Sequence, residues 1–434
     1  MNLKQITIAS LILSSVSFGA SIDLVQNYSA EYAGNPAQQG AINYGSTVYF
    51  NPAGLSQLEQ GTYFVGGVQV AFGEQSMAEG KEYDADLFSP IPNFAVYKVI
   101  DDGAYFWTLG AVAGGATLEY KDGVPLPNMT LPNGMSVPMN SLLEGTNVKG
   151  GNQYAQTTFG RTWKVNEKLS TSLGLRAVYG LRTLEASTSI KNGVKVPVKL
   201  PTGLTLVDVS GHSASIDSER TGYGFGFQLG LNYKATEKLN LGLRYDSQIN
   251  MKFKTDATIN PKGMDINNIG GTVIVDKLLR FFPVYADGLK TRRDLPAILA
   301  LGASYKVTDR WTTFVGGNYY FNKDATMDQV GKLKNYDYSN GWEISVGSEY
   351  WINDKFAWLV GANYADTGAP EGTYSPTEYA INSIFVGTGI KYRQNETTEW
   401  TVAFNQYFYD STNADNVVYE KEISSIGFNF VKKF

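Results

Sequence analysis

Residues 169–181 read Leu-Ser-Thr-Ser-Leu-Gly-Leu-Arg-Ala-Val-Tyr-Gly-Leu, and this stretch decides the fold. Its odd positions are mostly apolar, whereas its even positions are largely small or polar and include Arg176. Alternation with a period of two is typical of a β-strand that has one apolar and one polar face. Residues 239–246 repeat the pattern with Leu239, Leu241 and Leu243 on one face. The sequence therefore predicts long two-faced strands.

Such strands follow one another from residue 61 to the end of the chain. Six short polar turns, at 100–103, 165–168, 235–238, 307–310, 353–355 and 393–396, each join two of them. Longer irregular connections separate these hairpins, the longest lying near 121–151, 187–213 and 259–293. Twelve strands flank the turns, and residues 62–73 and 420–434 add one strand each.

An even number of antiparallel strands with short turns at one end and long loops at the other is typical of a transmembrane β-barrel. Only a closed sheet satisfies every backbone polar group in lipid. We therefore predict an all-β fold, a 14-stranded antiparallel transmembrane β-barrel over residues 61–434. The alternatives are a secreted β-sandwich and a solenoid, and no internal repeat supports the solenoid.

Composition agrees with an exported sheet protein. The 434 residues include 46 Gly, 28 Tyr and 22 Phe, and only 18% are charged. Residues 1–19 have the pattern of a signal peptide, with a positive Lys4, an apolar run and a Ser-Phe-Gly ending. A net charge of -5 without a basic run argues against nucleic-acid binding. No cysteine and one histidine leave neither a cofactor nor a metal site to expect.

Residues 20–60 lack periodicity and contain too few large apolar residues to fold alone. A barrel of this size has a lumen too wide for its own side chains to fill, so we predict that this segment is an N-terminal hatch inside it. Asn51, Pro52, Ala53 and Gly54 stand where hatch and wall meet. Pro52 fixes its own φ, and the Asn51 side chain is expected to bond local backbone, so that this turn anchors the hatch to the wall. The alternative is a simple turn before a strand.

The ends of the strands carry further membrane signals. Trp163, Trp311 and Trp358 lie near short turns, as an interfacial aromatic belt requires. The chain ends in Phe434 after alternating apolar residues, which resembles the insertion signal that the barrel-assembly machinery reads, although Lys432 replaces a more usual aromatic. We expect a monomer in the bacterial outer membrane, in contact with its lipid.

Gly40-Ala41-Ile42, followed by Asn51-Pro52-Ala53-Gly54 ahead of the first strand, resembles the FadL family of outer-membrane transporters for long-chain fatty acids and hydrocarbons. The resemblance implies a hatch inside a 14-stranded barrel and passive uptake of a hydrophobic small-molecule ligand, without enzymatic activity. It also implies a route from a groove between outer loops, through a pocket in the barrel, to a lateral opening beside a kinked third strand.

Two loops supply candidates for the groove. The connection 266–288 is too apolar for a solvated loop, and its candidates are Ile274, Leu278, Leu279, Phe281 and Phe282. Met129 and Met135 lie in a second apolar loop that is a candidate for the other wall. The alternative is that the residues of the first loop pack it onto the barrel top.

Other candidates lie on the strands. Gly114 and Gly115, in the third strand, weaken pairing and permit the kink, although small residues there also suit packing against the hatch. A ligand carboxylate needs a positive partner in the lumen, and alternation suggests four inward candidates: Arg176, Arg182, Arg244 and Lys252. The alternative is that such charges pair with others, as Arg244 with Asp246.

The rival functions are those of a hydrolase, a diffusion porin and a structural or adhesin barrel. A hydrolase lacks a base in suitable geometry, because the single His212 has Ala214 two residues on. A general hydrophilic diffusion porin would need an open lumen lined by charges. A structural or adhesin barrel would bind no hydrophobic ligand. We therefore predict uptake of long-chain fatty acids or aromatic hydrocarbons.

Overall fold

The computed structural model describes residues 29–126, 128–130, 136–200, 203–328, 338–376, 378–414 and 416–434. The proposed signal peptide, residues 1–19, and Met135 lie outside the described residues, and Met129 is described by its backbone alone.

The described chain forms a closed antiparallel barrel of fourteen strands, which confirms the predicted fold. The strands are β1 Gly61–Ala78, β2 Glu82–Ile100, β3 Gly103–Gly114, β4 Leu143–Lys164, β5 Leu169–Ile190, β6 Ser213–Lys234, β7 Leu239–Asp246 continued by Lys252–Asn260, β8 Ile298–Lys306, β9 Trp311–Tyr320, β10 Gly341–Trp351, β11 Phe356–Asp366, β12 Ser383–Asn395, β13 Thr398–Tyr409 and β14 Val417–Lys433. Each strand pairs with the next, and β1 also pairs with β14 from Tyr63↔Lys433 to Ala78↔Val418. The sheet therefore closes on itself, and each of the fourteen strands has a partner on both sides, as a lipid environment requires.

The described chain also contains short strands and helices besides the fourteen strands of the wall. The additional strands are Leu118–Tyr120, Met129–Thr130, Ser136–Val137, Lys195–Leu200, Gly203–Asp208, Lys290–Arg292 and Thr412–Ala414. The α-helices are α1 Ala30–Gly34, α2 Thr47–Phe50, α3 Met139–Leu142 and α4 Ile269–Phe281; 3₁₀ helices cover Pro52–Gln57, Ile266–Asn268, Pro283–Tyr285, Asn322–Asp324 and Glu371–Thr373. Within the described chain, no helix has the length and apolar character needed to cross a membrane.

The short turns form because their polar side chains bond their own backbone. The Asn166 Oδ1 atom accepts hydrogen bonds from the amides of Lys168 and Leu169, each at 2.9 Å. Asn353 accepts from Lys355 and Phe356 in the same way. Side-chain bonding of this kind stabilises tight turns and sets the register of the strands that follow.

The outward face carries an apolar band. On β2, Phe88, Phe94 and Val96 are exposed, and Asp86 and Lys98 end the band on either side. The side chains of Trp163, Trp311 and Trp358 are also exposed near the short turns. Apolar residues bounded by charges and aromatics match a lipid-facing barrel surface.

Several strands run further than the sequence indicated. β4 begins at Leu143, β5 ends at Ile190 and β6 begins at Ser213, so the loops predicted at 121–151 and 187–213 are shorter than expected. The reason is that these strand ends stand above the apolar band. Their outward residues are polar, as in the Lys149–Glu185 ion pair at 3.2 Å, and apolar alternation therefore ends before the strand does.

Residues Ser29–Gln57, here called the inner segment, lie inside the barrel. Ser29 caps α1, because its Oγ atom accepts a hydrogen bond from the Tyr32 amide at 3.2 Å. Tyr32 and Ala33 are completely or almost completely buried, although the segment is too short to have a core of its own. Its burial comes from the wall around it.

Candidate functional site

The turn at Asn51–Gly54 is bonded to three neighbouring strands. The Asn51 side-chain amide donates to the Leu231 carbonyl of β6 at 3.1 Å. Thr162 of β4 donates to the Pro52 carbonyl at 2.7 Å, and Ser170 of β5 donates to the Ala53 carbonyl at 2.6 Å. The expectation that the Asn51 side chain bonds local backbone was wrong: it makes no capping bond to the helix that it precedes, and its amide reaches β6 instead. Gly54 packs beside Ile42, which a Cβ atom would meet at 2.6 Å.

Arg244, a candidate for the ligand carboxylate, holds the inner segment instead. Its Nη1 atom donates to the carbonyl oxygens of Tyr49 and Phe50, each at 2.8 Å. Its Nε atom lies 3.3 Å from Asp246, so the ion pair considered from the sequence is present. The guanidinium therefore satisfies the C-terminal end of α2, where backbone carbonyls lack helical partners.

A ring of inward-facing glycines gives the inner segment its space. This glycine belt consists of Gly242, Gly302, Gly316, Gly347, Gly361, Gly387 and Gly427, which belong to seven strands. A Cβ atom on Gly387 would lie 2.0 Å from the Ala33 carbonyl oxygen, and one on Gly302 would lie 2.6 Å from the Gly40 nitrogen. Such distances are far below van der Waals contact, so the segment lies directly on wall backbone. Sequence reasoning missed the belt, whose signal is glycine recurring at inward positions of β7 to β12 and again of β14.

A buried carboxylate adds to this attachment. Glu31 of α1 is 1% exposed, and it accepts hydrogen bonds from Asn429 at 2.9 and 3.0 Å and from Thr401 at 3.0 Å. These donors belong to β14 and β13. Because a buried charge is tolerated only when it is hydrogen-bonded, the three bonds fix α1 against this side of the wall.

Above the inner segment the lumen is filled by one large apolar cluster, here called the lumen cluster. It runs from α4 at the mouth down to Tyr32 and Phe50 of the inner segment. On the way it includes Leu87, Ile91, Leu118, Leu126, Leu143, Leu184, Ile190, Ile216, Phe385, Tyr407 and Ile423. An apolar filling of this extent is what a hydrophobic ligand requires.

The candidate groove residues form the roof of this cluster. Ile274, Leu278 and Phe282 are 2%, 4% and 4% exposed and lie four residues apart, so they share the inward side of α4. Leu279 packs against the cluster while partly exposed, and the side chain of Phe281 is not described. The outward side carries the exposed Asp276–Arg280 ion pair at 3.0 Å. These residues therefore pack the loop onto the barrel top, which was the alternative considered from the sequence.

The third strand is irregular where the glycines were noted. Its register with β4 shifts between Ala111 and Ala113, and Gly114 has φ +106°. A Cβ atom on Gly114 would lie 2.4 Å from the Asn152 carbonyl oxygen, whereas one on Gly115 would meet nothing within 4 Å. The two glycines thus differ, and only Gly114 has a conformation and surroundings that require glycine.

Beside this irregularity the pairing of β2 is one-sided. The β2–β3 ladder runs from Ile100↔Gly103 to Asn93↔Gly110, whereas the β1–β2 ladder continues to Ala78↔Glu82. Pro90 and Pro92 follow on the upper part of β2, and proline has no backbone N–H to donate. The β2–β3 ladder is therefore absent between the upper part of β2 and the bulge of β3.

The prediction that Lys252 faces inward was wrong, since its side chain is exposed outside the barrel. The β6–β7 register is Gln228↔Asp246 below the interruption of β7 and Tyr223↔Lys252 above it, a shift of one residue. A shift of one residue exchanges the two faces of a strand. Arg176 does face inward, where its Nε atom donates to Gln156 at 2.9 Å and its Nη1 atom to the Ser247 carbonyl at 3.2 Å.

Arg182 belongs to a buried network of charges, here called the arginine cluster, together with Arg220, Arg293, Asp328 and Glu378. Arg182 and Arg293 lie 2.5 and 2.8 Å from different oxygens of Glu378. Arg293 also lies 3.1 Å from Asp328, which pairs with Arg220. Sequence reasoning found only Arg182, because the two carboxylates come from loops without periodicity.

The loop carboxyls of this cluster are ionised. Burial raises the pKa of Asp328, but Arg220 and Arg293 outweigh it and hold that pKa well below its ordinary value. Burial likewise opposes ionisation of Glu378, and Arg182 and Arg293 lower the pKa of its carboxyl nonetheless. Ion pairs with arginines thus attach the loops that carry Asp328 and Glu378 to the mouth of the barrel.

Comparison with known proteins agrees with this architecture. The family model described as outer membrane protein transport protein (OMPP1/FadL/TodX) matches residues 9–428. The chain is 26% identical to outer membrane protein P1 of Haemophilus influenzae, over 46% of this chain and less than half, 44%, of that protein. It is 21% identical to the long-chain fatty acid transport protein of Escherichia coli, over 91% of this chain and 88% of that protein.

A solved structure shows the same fold. The P. putida toluene transporter TodX matches with a TM-score of 0.66 and 16% identity, over 94% of this chain and 99% of that one. With a family model matched over nearly its whole length, the chain belongs to the OMPP1/FadL/TodX family of outer-membrane transport proteins.

Proposed function

We propose that this protein takes up long-chain fatty acids or aromatic hydrocarbons passively across the outer membrane. The observation that carries the proposal is the lumen cluster, which is apolar from α4 down to Tyr32 and Phe50. The names of two relatives, a long-chain fatty acid transport protein and a toluene transporter, support the same ligand chemistry. The family is one of transporters rather than enzymes.

The proposed route begins at the mouth. A ligand enters beneath α4, where Ile274, Leu278 and Phe282 give way to it, and replaces contacts within the lumen cluster. Apolar groups exchange contacts there with little change in water exposure, so the ligand loses its own hydration at small cost to the protein.

We place the exit between β2 and β3. The one-sided pairing of β2 above Asn93, the prolines and the Gly114 bulge leave few backbone hydrogen bonds to break there. The inner segment is the proposed hatch. It is bonded to β4, β5 and β6 and packs on the glycine belt. In this position it blocks the direct route to the periplasm, which favours a lateral exit.

A hydrophilic porin and an adhesin fit less well. A porin needs a water-filled channel lined by polar groups, and this lumen is occupied by an apolar cluster above a buried segment. An adhesin has no use for apolar side chains beneath α4. Neither alternative accounts for the buried positions of Phe282 and Phe50.

Uptake and conductance test the proposal together. Cells that lack their own transporter and express this protein should take up radiolabelled oleate or toluene faster than cells with empty vector. The purified barrel should give no large, steady ion current in planar bilayers, because an apolar cluster and the inner segment occupy the lumen. Absence of uptake of both ligands, or a steady porin-like current, would overturn the proposal.

Two partner proposals remain from the sequence. Phe434 is exposed, and its amide bonds the Thr62 carbonyl of β1 at 2.8 Å, which leaves its ring accessible to the barrel-assembly machinery. Deletion of Phe434 should reduce the amount of folded protein in the outer membrane. We also propose a monomer, which light scattering of the detergent-solubilised protein can test.

A further inference from the structure

The loop between β11 and β12 crosses the mouth of the barrel. We call its described residues 374–376 and 378–381 the strap. At one side Glu378 reaches Arg182 of β5 and Arg293, which precedes β8. At the other side the Tyr379 hydroxyl donates to the Glu420 carbonyl of β14 at 3.0 Å and to the Ser76 carbonyl of β1 at 3.2 Å. The strap therefore bridges opposite parts of the wall.

Two arginines hold the Glu378 carboxylate in the way that they would hold the carboxylate of a ligand. Its two oxygens lie 2.5 and 2.8 Å from two different guanidinium groups, and its side chain is 13% exposed. Arg182 also donates to the Tyr154 hydroxyl at 3.2 Å, which fixes its orientation. Paired guanidinium groups with little access to water are strong and specific partners for a carboxylate.

The surroundings of this pair are apolar. Tyr379, the residue after Glu378, belongs to the lumen cluster, as does Leu184, two residues beyond Arg182 on the same face of β5. A carboxylate bound by Arg182 and Arg293 therefore has the apolar filling of the barrel directly beside it. A carboxylate next to an extended apolar cluster matches the chemistry of a fatty acid.

We propose that Arg182 and Arg293 form a carboxylate-binding site which Glu378 occupies in the ligand-free protein, and that a long-chain fatty acid displaces Glu378 and so releases the strap. The inference rests on the proposed function and names the acid among its two ligand classes. Release of the strap also admits the ligand to the lumen, because the strap lies across the mouth of the barrel.

The exchange conserves charge. One carboxylate leaves the two arginines as another arrives, so neither guanidinium is left buried without an anion, which would be strongly unfavourable. The released Glu378 carboxylate regains water at the mouth, and the acyl chain enters the lumen cluster. A neutral ester or hydrocarbon cannot make this exchange, since it brings no charge.

The test compares oleate with methyl oleate, which share a chain but differ in charge. Binding to the purified full-length barrel is measured for the parent and for Glu378→Gln, Arg182→Gln and Arg293→Gln. Removing the internal competitor should tighten oleate binding by about tenfold or more, and removing either arginine should weaken it by a similar factor. Methyl oleate should bind all four proteins alike.

Glu349→Gln is the matched control. Glu349 is another carboxylate inside the barrel, 2.7 Å from the buried Lys391, and it belongs to β10 rather than to the strap. It should leave the preference for oleate over its ester unchanged. Folding of every variant is checked by its heat-dependent migration on gels, and Glu378→Ala, which also removes the carboxylate, replaces Glu378→Gln if the latter does not fold.

The outcomes separate the two proposals. Tighter oleate binding by the Glu378 variant supports the site, whereas unchanged or weaker binding overturns it. If every protein binds oleate and its ester equally, the carboxylate site is refuted while the transporter remains. If the parent binds neither of them, nor toluene, the proposed function itself fails.

Discussion

Replacing Gly387 by alanine should loosen the inner segment without opening the barrel wall. The added Cβ atom would lie 2.0 Å from the Ala33 carbonyl oxygen, where an ordinary contact begins at 3.4 Å. Ala33 must therefore retreat by roughly 1.4 Å in a closely packed interior. Overpacking of this kind costs about 1–3 kcal/mol.

The displacement acts on a part of the segment that is otherwise firmly bonded. Glu31, two residues before Ala33, accepts its hydrogen bonds from Thr401 and Asn429, and these bonds are strained if α1 moves. A destabilisation of about 1–3 kcal/mol raises the population of the displaced state by about 5- to 150-fold. The pairing of the wall strands should persist, because the shortest contact is with the inner segment and the wall contact, at 2.9 Å, is with the Phe385 ring rather than with wall backbone.

A single cysteine reports on the displacement, since the chain has none of its own. Ala37 is completely buried in the inner segment, so Ala37→Cys should react slowly with a small maleimide. Adding Gly387→Ala should increase the labelling rate by the same factor of about 5 to 150, provided that closing is fast compared with labelling.

Gly115→Ala is the control, because its Cβ atom would have no neighbour within 4 Å. In the Ala37→Cys background it should label at the parental rate. Equal rates for Gly387→Ala and the parent would refute the claim that the glycine belt holds the inner segment in place.

Three further predictions follow from the same contacts. Gly114→Val should reduce ligand uptake several-fold in cells, because it forces φ +106° on a β-branched residue next to the Asn152 carbonyl. If Gly114→Val and Gly115→Ala take up ligand equally well, the bulge is not part of the exit route. Arg244→Met should lower the free energy of unfolding in urea by about 3–5 kcal/mol, since it leaves Asp246 and two carbonyls of α2 without their cation. The control Arg161→Met removes a half-exposed ion pair with Asp102 and should change this free energy by less than about 1 kcal/mol. The pKa of Asp328 is lowered in the folded protein, so its stabilising effect should be complete above the unfolded pKa near 3.8 and decline as the pH falls below it. The stability difference between the parent and Asp328→Asn should therefore shrink on acidification, and a difference that grows would contradict the arginine cluster.

Particular residues show how far the sequence could be read. Alternation around Leu169–Leu181 and side-chain bonding at turns such as Asn166 act over a few residues, so strand number and the barrel followed from local pattern. Alternation also placed Arg176, Arg182 and Arg244 inside. It failed for Lys252, because the interruption of β7 shifts the register by one residue and alternation does not reveal a shift in advance.

The candidate site was only partly predictable. Ile274, Leu278 and Phe282 were recognised as an apolar set, but spacing along a helix does not say whether that side faces water or a core. The partners of Arg182 were invisible, since Glu378 is 196 residues away in an irregular loop. The same holds for Arg244, whose role depends on carbonyl oxygens of α2.

By itself the sequence determined the closed antiparallel sheet, its two faces and the need for something inside it, because strand periodicity and turn chemistry are local properties. Only the tertiary structure decided which glycines touch the inner segment, which arginines pair with loop carboxylates and which face Lys252 takes. Those contacts join residues far apart in the chain, and they depend on barrel closure and on the register shift in β7, which no local pattern records.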